Sequence, residues 1–526
     1  MSLWRKSAEE MVDSGTVTYT DRLFKVGATF PPEQSRERLS KYKRMKTLYD
    51  GKAAEIYARA SEILKDTPHA AQLEKLYIAC NFADILATKP ADLLVGEPPI
   101  FDSGLSDDTP QQKAINSYVE ENDLVKLIHE STLSNGYRGD AWFKVRFDYR
   151  QDYSALAELG IGVPDDVVME PIIEHIAADC VFPETARGNV KAFKAVNIAS
   201  VEWVIGKKAD VPYLNVERHL PGYIVYERYL LSATEGSVDN SYGYPLQTFT
   251  IEGKVATGRD TDVIETGVPS LLVHHIPYKS VDDAWEGKGT IESLESKLIA
   301  INDRLVSIDY ILMKHSDPIM YGPEPSGSGN VRVGGGIYIP TTKEEVTPGY
   351  MTWDGKLEGA FKELETLIGM VFQIAETPQW LFGTVLGDQN AGGTGTSHTD
   401  GAAIRARFMP ILSKINRIKT HYDRAVRDAL YNCQLLDIVH GDAKFEAVYP
   451  TITWRDGLPK SDKEQAEVMQ IRTGGKPTLD VATAIKRLDG LDDLQADEIV
   501  SRIDSDEERT LGTVDASIFN AEDGGN

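Results

Sequence analysis

The chain has 526 residues, 41% of them hydrophobic and 26% charged, which is typical of a soluble globular protein with room for several domains. Its formal net charge of −25 excludes tight binding of nucleic acid over the whole protein surface, because such binding needs clustered Lys and Arg. There is no apolar run of about 18 residues, so no membrane-spanning helix is predicted, and the N-terminal residues lack the apolar core of a signal peptide. Three widely spaced cysteines argue against a disulfide framework or a zinc site and favour a reducing cytoplasm. They are Cys80, Cys180 and Cys433.

The first half of the chain divides into a helical part and a β-rich part. Apolar periodicity predicts a helix over residues 33–66, a second within 81–101 and a third within 124–140. The alternating segment 141–149 predicts a strand, and short runs separated by Gly, Pro and Asp continue this pattern to about residue 285. Helices followed by antiparallel strands predict an α+β fold.

A narrow apolar stripe begins after Gly289 and predicts a long helix over residues 290–316 that packs beside other helices. At 1.5 Å per residue this helix would be about 40 Å long. Its apolar positions recur at three- and four-residue intervals. They are Ile291, Leu294, Leu298, Ile301, Leu305, Ile308 and Leu312.

Two further helices enclose a glycine-rich loop. A compact β segment over residues 317–354 precedes a helix at 356–376, whose apolar face includes Phe361, Leu364 and Ile368. The next helix, at 399–436, contains Pro410, which predicts a kink or a delayed start. Its polar positions form a local basic stripe in an otherwise acidic chain. The stripe consists of Arg405, Arg407, Lys414, Arg417, Lys419, Arg424 and Arg427.

The glycine-rich loop resembles a phosphate-binding P-loop from Gly387 onward, but the chemistry is missing. Gly393 stands where the P-loop lysine is required, and no Lys or Arg occurs between Lys362 and Arg405. The preceding segment is helical rather than a buried parallel strand. The sequence therefore favours a flexible glycine loop over a nucleotide site.

No other motif predicts catalysis or a bound metal. The residues around Ser397 and His398 approach a nucleophile elbow without the required strand and closing glycine. His129 lacks the second histidine of a zinc protease, and the adjacent His274 and His275 would face opposite sides of a strand. We therefore predict no enzyme, no cofactor and no metal site.

The order of these parts resembles the SPP1-type portal proteins of tailed bacteriophages over nearly the whole chain. Four stretches carry the resemblance: YKRMKTLYDGK (42–52), NFADILATKPADLLVGEPP (81–99), SNGYRGDAWFKV (134–145) and the strand-Pro-helix region ITWRDGLPK onward (452–491). Such portals form rings, usually of twelve subunits, at one capsid vertex. Double-stranded DNA passes through the ring during packaging and ejection.

The resemblance implies a domain map for this chain. It consists of a wing (1–288), stem helices (289–316 and 355–376), an outward-facing clip (317–354), a tunnel loop (377–398), a long helix (399–436), a helical crown (437–500) and an acidic, poorly ordered tail (501–526).

The resemblance also implies partners and site residues. The partners are other copies of the chain, weakly bound double-stranded DNA, the terminase large subunit, a head-tail adaptor, and the major capsid and scaffolding proteins, with no membrane. The location is the portal vertex of the virion, after assembly in the host cytoplasm. The tunnel-loop residues expected to face DNA are Gln379, Trp380, Gln389, Asn390, Thr394, Thr396, Ser397 and His398. The expected subunit contacts are Leu294, Leu298, Ile301, Leu305, Ile308, Leu312, Phe361, Leu364, Ile368, Arg417 and Arg424.

Two other interpretations of the sequence remain. The chain could be another virion protein, such as a head-tail connector or minor capsid protein, although a connector would usually be much shorter. It could also be a cytoplasmic enzyme whose site lacks a recognisable motif.

Overall fold

Within its described residues, the computed structural model of the chain contains ten α-helices and fifteen strands, which confirms the predicted α+β class. The described residues are 22–52, 80–153, 156, 159–164, 166–186, 188–205, 210–238, 246–315, 319–323, 338–341, 347–351, 357–382, 401–455, 462–489, 491 and 493–512. No helix in these ranges is long and apolar enough to cross a membrane.

Four helices form the N-terminal part of the fold. The side chain of Asn81 caps the second helix, and Thr109 caps the third, which the sequence analysis did not identify. The fourth ends at Gly139, whose φ of 96° is a left-handed conformation that favours glycine. The helices are α1 (Glu33–Tyr49), α2 (Phe82–Leu94), α3 (Pro110–Glu121) and α4 (Leu124–Arg138).

The larger sheet is an antiparallel meander with the strand order β1-β9-β8-β7-β6-β5, and β10 pairs with β8. Alternate residues of its strands bury one face around Phe182, Leu214 and Phe249. Its strands are β1 (Thr29–Phe30), β5 (Val181–Ala186), β6 (Asn189–Val204), β7 (Val211–Leu220), β8 (Tyr223–Val238), β9 (Leu246–Val255) and β10 (Val263–Glu265).

A three-stranded sheet with the order β11-β3-β4 lies beside a long C-terminal helix, Gly401–His440. Phe143 of β3 and Tyr422 of that helix share one hydrophobic cluster, with their ring centroids 6.2 Å apart. The strands are β3 (Asp140–Asp148), β4 (Glu170–Ile176) and β11 (Val273–Pro277).

The helix pair predicted from the apolar stripes is present and flanks a small sheet. The helices α5 (Glu295–His315) and α6 (Glu358–Ile374) pack together. Between them in sequence, β12 pairs in parallel with β13 and antiparallel with β14. The three strands are β12 (Ile319–Pro323), β13 (Tyr338–Thr341) and β14 (Gly349–Met351).

The C-terminal part is mostly helical. The long helix α7 (Gly401–His440) continues through Pro410, and a short strand β15 (Thr451–Thr453) pairs with β2 (Ile100–Asp102). The final helices are α8 (Asp462–Thr473), α9 (Val481–Asp489) and α10 (Asp493–Gly512). The tail predicted to be poorly ordered from residue 501 is therefore helical as far as Gly512, and the rest of it lies outside the described residues.

Candidate functional site

The predicted tunnel loop is described only at its first residues. Gln379 and Trp380 lie in a short 3-10 helix, Gln379–Phe382. Leu381 packs against the hydrophobic cluster between α7 and the three-stranded sheet β11-β3-β4. The other residues predicted to contact DNA lie outside the described residues, so their role stays a prediction. They are Gln389, Asn390, Thr394, Thr396, Ser397 and His398.

The chain leaves α6 through a tightly bonded turn. The amide of Thr377 donates to the carbonyl of Phe372 over 3.0 Å, and Thr377 itself is buried. Between them, Glu376 has a φ of 53°, a left-handed conformation that is uncommon for a residue other than glycine. This geometry ends the helix and sets the direction in which the predicted loop begins.

Two cations of α7 hold this turn in place. Lys414 is 4% exposed, and its ammonium donates to the carbonyl of Ala375 over 2.9 Å. Arg417 forms an ion pair with Glu376, with an N–O distance of 2.6 Å. Burial lowers the pKa of Lys414 to about 7, although Glu376 opposes this shift. The residues before and after the predicted loop are therefore joined by direct contacts between α6 and α7.

Three further cations of the basic stripe have partners within the chain. Arg424 pairs with Asp428 one helical turn away, over 2.8 Å. Arg427 pairs with Asp423 over 3.3 Å. Lys419 donates to the backbone carbonyl of Arg455. These contacts occupy the cations locally, and they leave the predicted subunit contacts of Arg417 and Arg424 untested.

Much of the apolar stripe of α5 is also covered within the chain. Leu294, Leu298 and Ile301 are at most 3% exposed and join a cluster with residues of α1, α2 and α6. The sequence could not show this, because the spacing of apolar residues identifies a buried face without identifying what buries it. Of the other predicted contacts, several are buried or partly buried in the same cluster. They are Leu305, Ile308, Leu364 and Ile368.

The helix pair keeps some apolar side chains exposed at both of its ends. Leu312 of α5 is 50% exposed, and Phe361 of α6 is 46% exposed. Met370 and Ile374, which the sequence analysis did not single out, are 46% and 43% exposed on α6. Leu312 and Phe361 lie toward the end of the pair that leads to β12–β14 and are here called the exposed stem patch, whereas Met370 and Ile374 lie toward the opposite end of α6.

A buried carboxylate, missed in the sequence analysis, joins α1 and the three-stranded sheet β11-β3-β4 to the segment that precedes α5. Asp140 is fully buried and accepts hydrogen bonds from the hydroxyl of Tyr42, from His275 over 2.7 Å and from the amide of Gly287 over 2.7 Å. A Cβ atom at Gly139 would lie 2.5 Å from the carbonyl oxygen of Gly287. The sequence signals were the glycines flanking these segments, which permit this close approach.

The neighbouring histidines in β11 face different partners, as the strand prediction requires. Asn432 donates to Nε2 of His274 over 3.1 Å, which assigns that nitrogen as an acceptor, whereas His275 contacts Asp140. Burial lowers the pKa of His274 to about 4. No group of three His, Cys, Asp or Glu side chains within the described ranges could hold a metal ion.

The neutral state of His274 predicts a loss of stability in acid. The unfolded chain takes up this proton near pH 6.5 and the folded chain only near pH 4, so stability falls as the pH falls between these values. Replacing His274 with Gln, which can accept the bond from Asn432, should reduce this dependence by about 1.4 kcal/mol per pH unit. Urea unfolding between pH 6.5 and 4.5 measures the slope. An unchanged slope would contradict the assignment of a neutral ring.

Comparison with known proteins supports one family over part of the chain. Residues 32–155 match the family model described as phage portal protein, SPP1 Gp6-like. This range includes α1 to α4 together with β2 and β3. No match was found among curated proteins. The resemblance to phage portal proteins is therefore confirmed for this part of the chain and supports a phage portal role.

Proposed function

We propose, from the portal-family match of residues 32–155, that this chain is the subunit of a portal ring at one vertex of a phage capsid. In this role the ring is the conduit for double-stranded DNA during packaging and ejection. It also docks the terminase large subunit and, later, a head-tail adaptor. The family implies a structural homo-oligomer in the virion, and a ring forms when each subunit uses two different surfaces that close on themselves.

The order of elements after the matched range supports the proposal. A long helix, a small sheet, a second helix, the predicted loop and the 40-residue helix α7 follow one another, as the portal resemblance implies. In the proposed map, α5 and α6 form the stem, β12 to β14 belong to the clip, and residues 377–398 form the tunnel loop. Residues 1–288 form the wing, and residues 437–500 form the crown.

The charge of the chain fits a conduit that does not hold DNA tightly. With a net charge of −25, a channel lined by this protein would repel phosphates. Several basic side chains of α7 are already occupied by partners within the chain, including Arg417 with Glu376 and Arg427 with Asp423. Low phosphate affinity would let DNA slide, and uncharged polar residues of the tunnel loop would supply only weak contacts.

The exposed stem patch is the proposed contact between neighbouring subunits. Leu312 and Phe361 are the two apolar residues among the predicted interface residues that the chain itself leaves about half exposed. Because each side chain is already about half buried, burying the rest against a neighbour would contribute about 0.7–1.5 kcal/mol per residue to assembly. The buried residues Leu294, Leu298 and Ile301 would instead hold the stem to its own wing.

Native mass measurement and negative-stain imaging test the ring and this contact together. The wild-type chain of 58.2 kDa should form a closed ring, with a mass of about 700 kDa for twelve subunits. Replacing Leu312 and Phe361 with Glu should raise the monomer fraction at least about tenfold, because each change loses apolar burial and introduces a charge into the contact. Circular dichroism should stay unchanged, since both side chains are exposed in the single chain.

Val168 provides the control, because it is 73% exposed and lies in the wing, away from the stem. Val168→Glu should assemble as the wild type does. Rings that form equally well with both stem substitutions would remove the exposed stem patch from the interface. A wild-type chain that stays monomeric both alone and with capsid and scaffolding protein would contradict the proposed function itself.

A further inference from the structure

A cavity of about 330 Å³ lies between the segment that follows β11, the residues that precede α5, the end of α6 and the middle of α7. Its walls combine one deeply buried cation with two buried hydroxyl groups. The lining residues used below are Tyr278, Thr290, Glu376, Lys414 and Arg417.

Lys414 lies in this cavity without a carboxylate within ion-pair distance among the described residues. Its ammonium carries three N–H donors, and the described residues provide one hydrogen-bond acceptor, the carbonyl of Ala375, besides the ring of Tyr278, whose centroid lies 5.8 Å from the ammonium nitrogen. That carbonyl belongs to the C-terminal end of α6, whose dipole supplies about half a negative charge. The buried ammonium therefore keeps two donors and part of its charge for a further partner. Burial lowers its pKa to about 7, which is the expected response to incomplete compensation.

The two hydroxyls add donors to the same cavity. Tyr278 is 6% exposed and Thr290 is 7% exposed, and neither hydroxyl forms a hydrogen bond with the described residues. They lie close to each other, but their geometry is outside that of a hydrogen bond. Even if a small rotation joined them, a mutual bond would use one of their two O–H donors. At least one donor would still be directed to a ligand.

The acidic side chains around the cavity have partners of their own. Glu376 pairs with Arg417 over 2.6 Å, and Glu292 pairs with Lys41 over 3.4 Å. Two further lysines of the lining, Lys279 and Lys288, are exposed at its rim. After these pairs are subtracted, the cavity is positively charged and rich in donors, although the chain as a whole is strongly acidic.

We propose that this cavity binds one small tetrahedral oxyanion, such as inorganic phosphate or sulfate, through Lys414 and the hydroxyls of Tyr278 and Thr290. Charge-assisted hydrogen bonds to the oxyanion would satisfy the buried donors that the protein leaves open. The ion would connect Tyr278, which follows β11, with Thr290, which precedes α5, and with Lys414 of α7. This position is next to the turn at which the predicted loop begins. This inference does not depend on ring formation.

Equilibrium dialysis of the full chain with labelled sulfate, at constant ionic strength, tests the proposal. Saturable binding of one sulfate per chain is expected. The double variant Tyr278→Phe/Thr290→Val should bind at least about tenfold more weakly, because hydrogen bonds to a charged group are among the stronger ones. Lys414→Met should weaken binding at least as much. Lys126→Met removes an exposed lysine of α4 and should bind as the wild type does.

A thermal unfolding measurement keeps the test independent of folding defects. Without oxyanion, the double variant should unfold at a temperature no lower than the wild type, because it removes two buried hydroxyls that have no protein partner. Lys414→Met does not leave the carbonyl of Ala375 without a donor, because this carbonyl also accepts a hydrogen bond from the hydroxyl of Thr377 over 3.1 Å. Sulfate should raise the unfolding temperature of the wild type and of Lys126→Met only.

A pH series identifies Lys414 as the charged contact, since the charge of sulfate is constant over the range. Binding at pH 8 should be about tenfold weaker than at pH 6, because the lysine loses its proton between them. The other titratable groups that face Lys414 are Glu376, Arg417, Tyr278 and Glu292, with the two rim lysines. In Lys414→Met, the residual binding should not change between these pH values.

Three results would overturn the proposal. The first is no saturable sulfate binding by the wild type, and the second is equal affinity in the wild type and the cavity variants. The third is displacement of the sulfate by short duplex DNA at constant ionic strength, which would assign the cavity to a nucleic-acid phosphodiester. Retention of the sulfate in the presence of DNA supports a free oxyanion.

Discussion

Replacing Asp140 with Ala is expected to lower the free energy of unfolding by about 3–5 kcal/mol, because each buried donor left without an acceptor costs about 1–3 kcal/mol. The carboxylate is fully buried and accepts from Tyr42, His275 and the amide of Gly287. Its removal leaves all three donors without an acceptor in a region from which water is excluded. Tryptophan fluorescence during urea unfolding reports on this region directly, because the ring of Trp142 lies 4.5 Å from that of His275.

Asp140→Asn is the matched control, since it keeps the shape and one acceptor oxygen. That oxygen can still accept from His275 and Gly287, while the hydroxyl of Tyr42 can rotate to accept from the new amide. We therefore expect a cost of about 1–2 kcal/mol, well below that of the Ala variant. Equal unfolding midpoints for the wild type and Asp140→Ala would show that the three donors find other partners. Equal losses in both variants would assign the stabilisation to the negative charge alone.

Local periodicity was sufficient to predict the elements whose burial is regular. The apolar spacing predicted α6 over residues 356–376, and the structure places this helix at Glu358–Ile374. The alternation of residues 141–149 predicted the buried strand β3. In both cases one face of a single element is buried, and a repeat in the sequence is the direct trace of that burial.

Two elements were not identified individually, because their sequences do not carry such a trace clearly. In β7, Pro212 is a residue that usually argues against an inner strand, yet the strand pairs on both sides with β6 and β8. In α3, the apolar positions are few, and Ile115 and Tyr118 carry most of the buried surface. Polar outer faces made both segments look like connections.

Contacts between distant segments could not be predicted from one sequence. Strand β1 pairs with β9 through Phe30 and Phe249, and Ile452 of β15 pairs with Phe101 of β2. The same limit explains the stem prediction. The spacing of Leu294 and Leu298 showed a buried face, but a partner in the same chain and a partner in a neighbouring subunit leave the same pattern.

The predicted loop lies between two firmly packed parts of the chain, which makes it a suitable target for replacement. On one side, the turn at Glu376 is tied to α7 through Arg417 and Lys414. On the other, Ile411 and Ile415 of α7 are fully buried. A change confined to residues 387–396 should therefore leave the surrounding helices in place.

Replacement of residues 387–396 with a short Gly-Ser linker is expected to leave ring assembly intact and to reduce DNA packaging or retention by about tenfold or more. The physical reason is the loss of several weak polar contacts to the DNA backbone, each of about 1 kcal/mol, from residues such as Gln389 and Asn390. Ring assembly is measured by native mass. Packaged DNA is measured as the fraction protected from nuclease in capsids that carry the variant.

A control variant carries the same Gly-Ser linker in place of the exposed residues 159–162, so that it reports the effect of the linker alone. This control variant should assemble and package DNA as the wild type does. A loop variant that forms rings and protects a normal amount of DNA would remove the loop from the DNA path. A loop variant that fails to form rings would instead assign residues 387–396 to the contact between subunits, because the interactions that hold α6 to α7 lie outside the replaced segment.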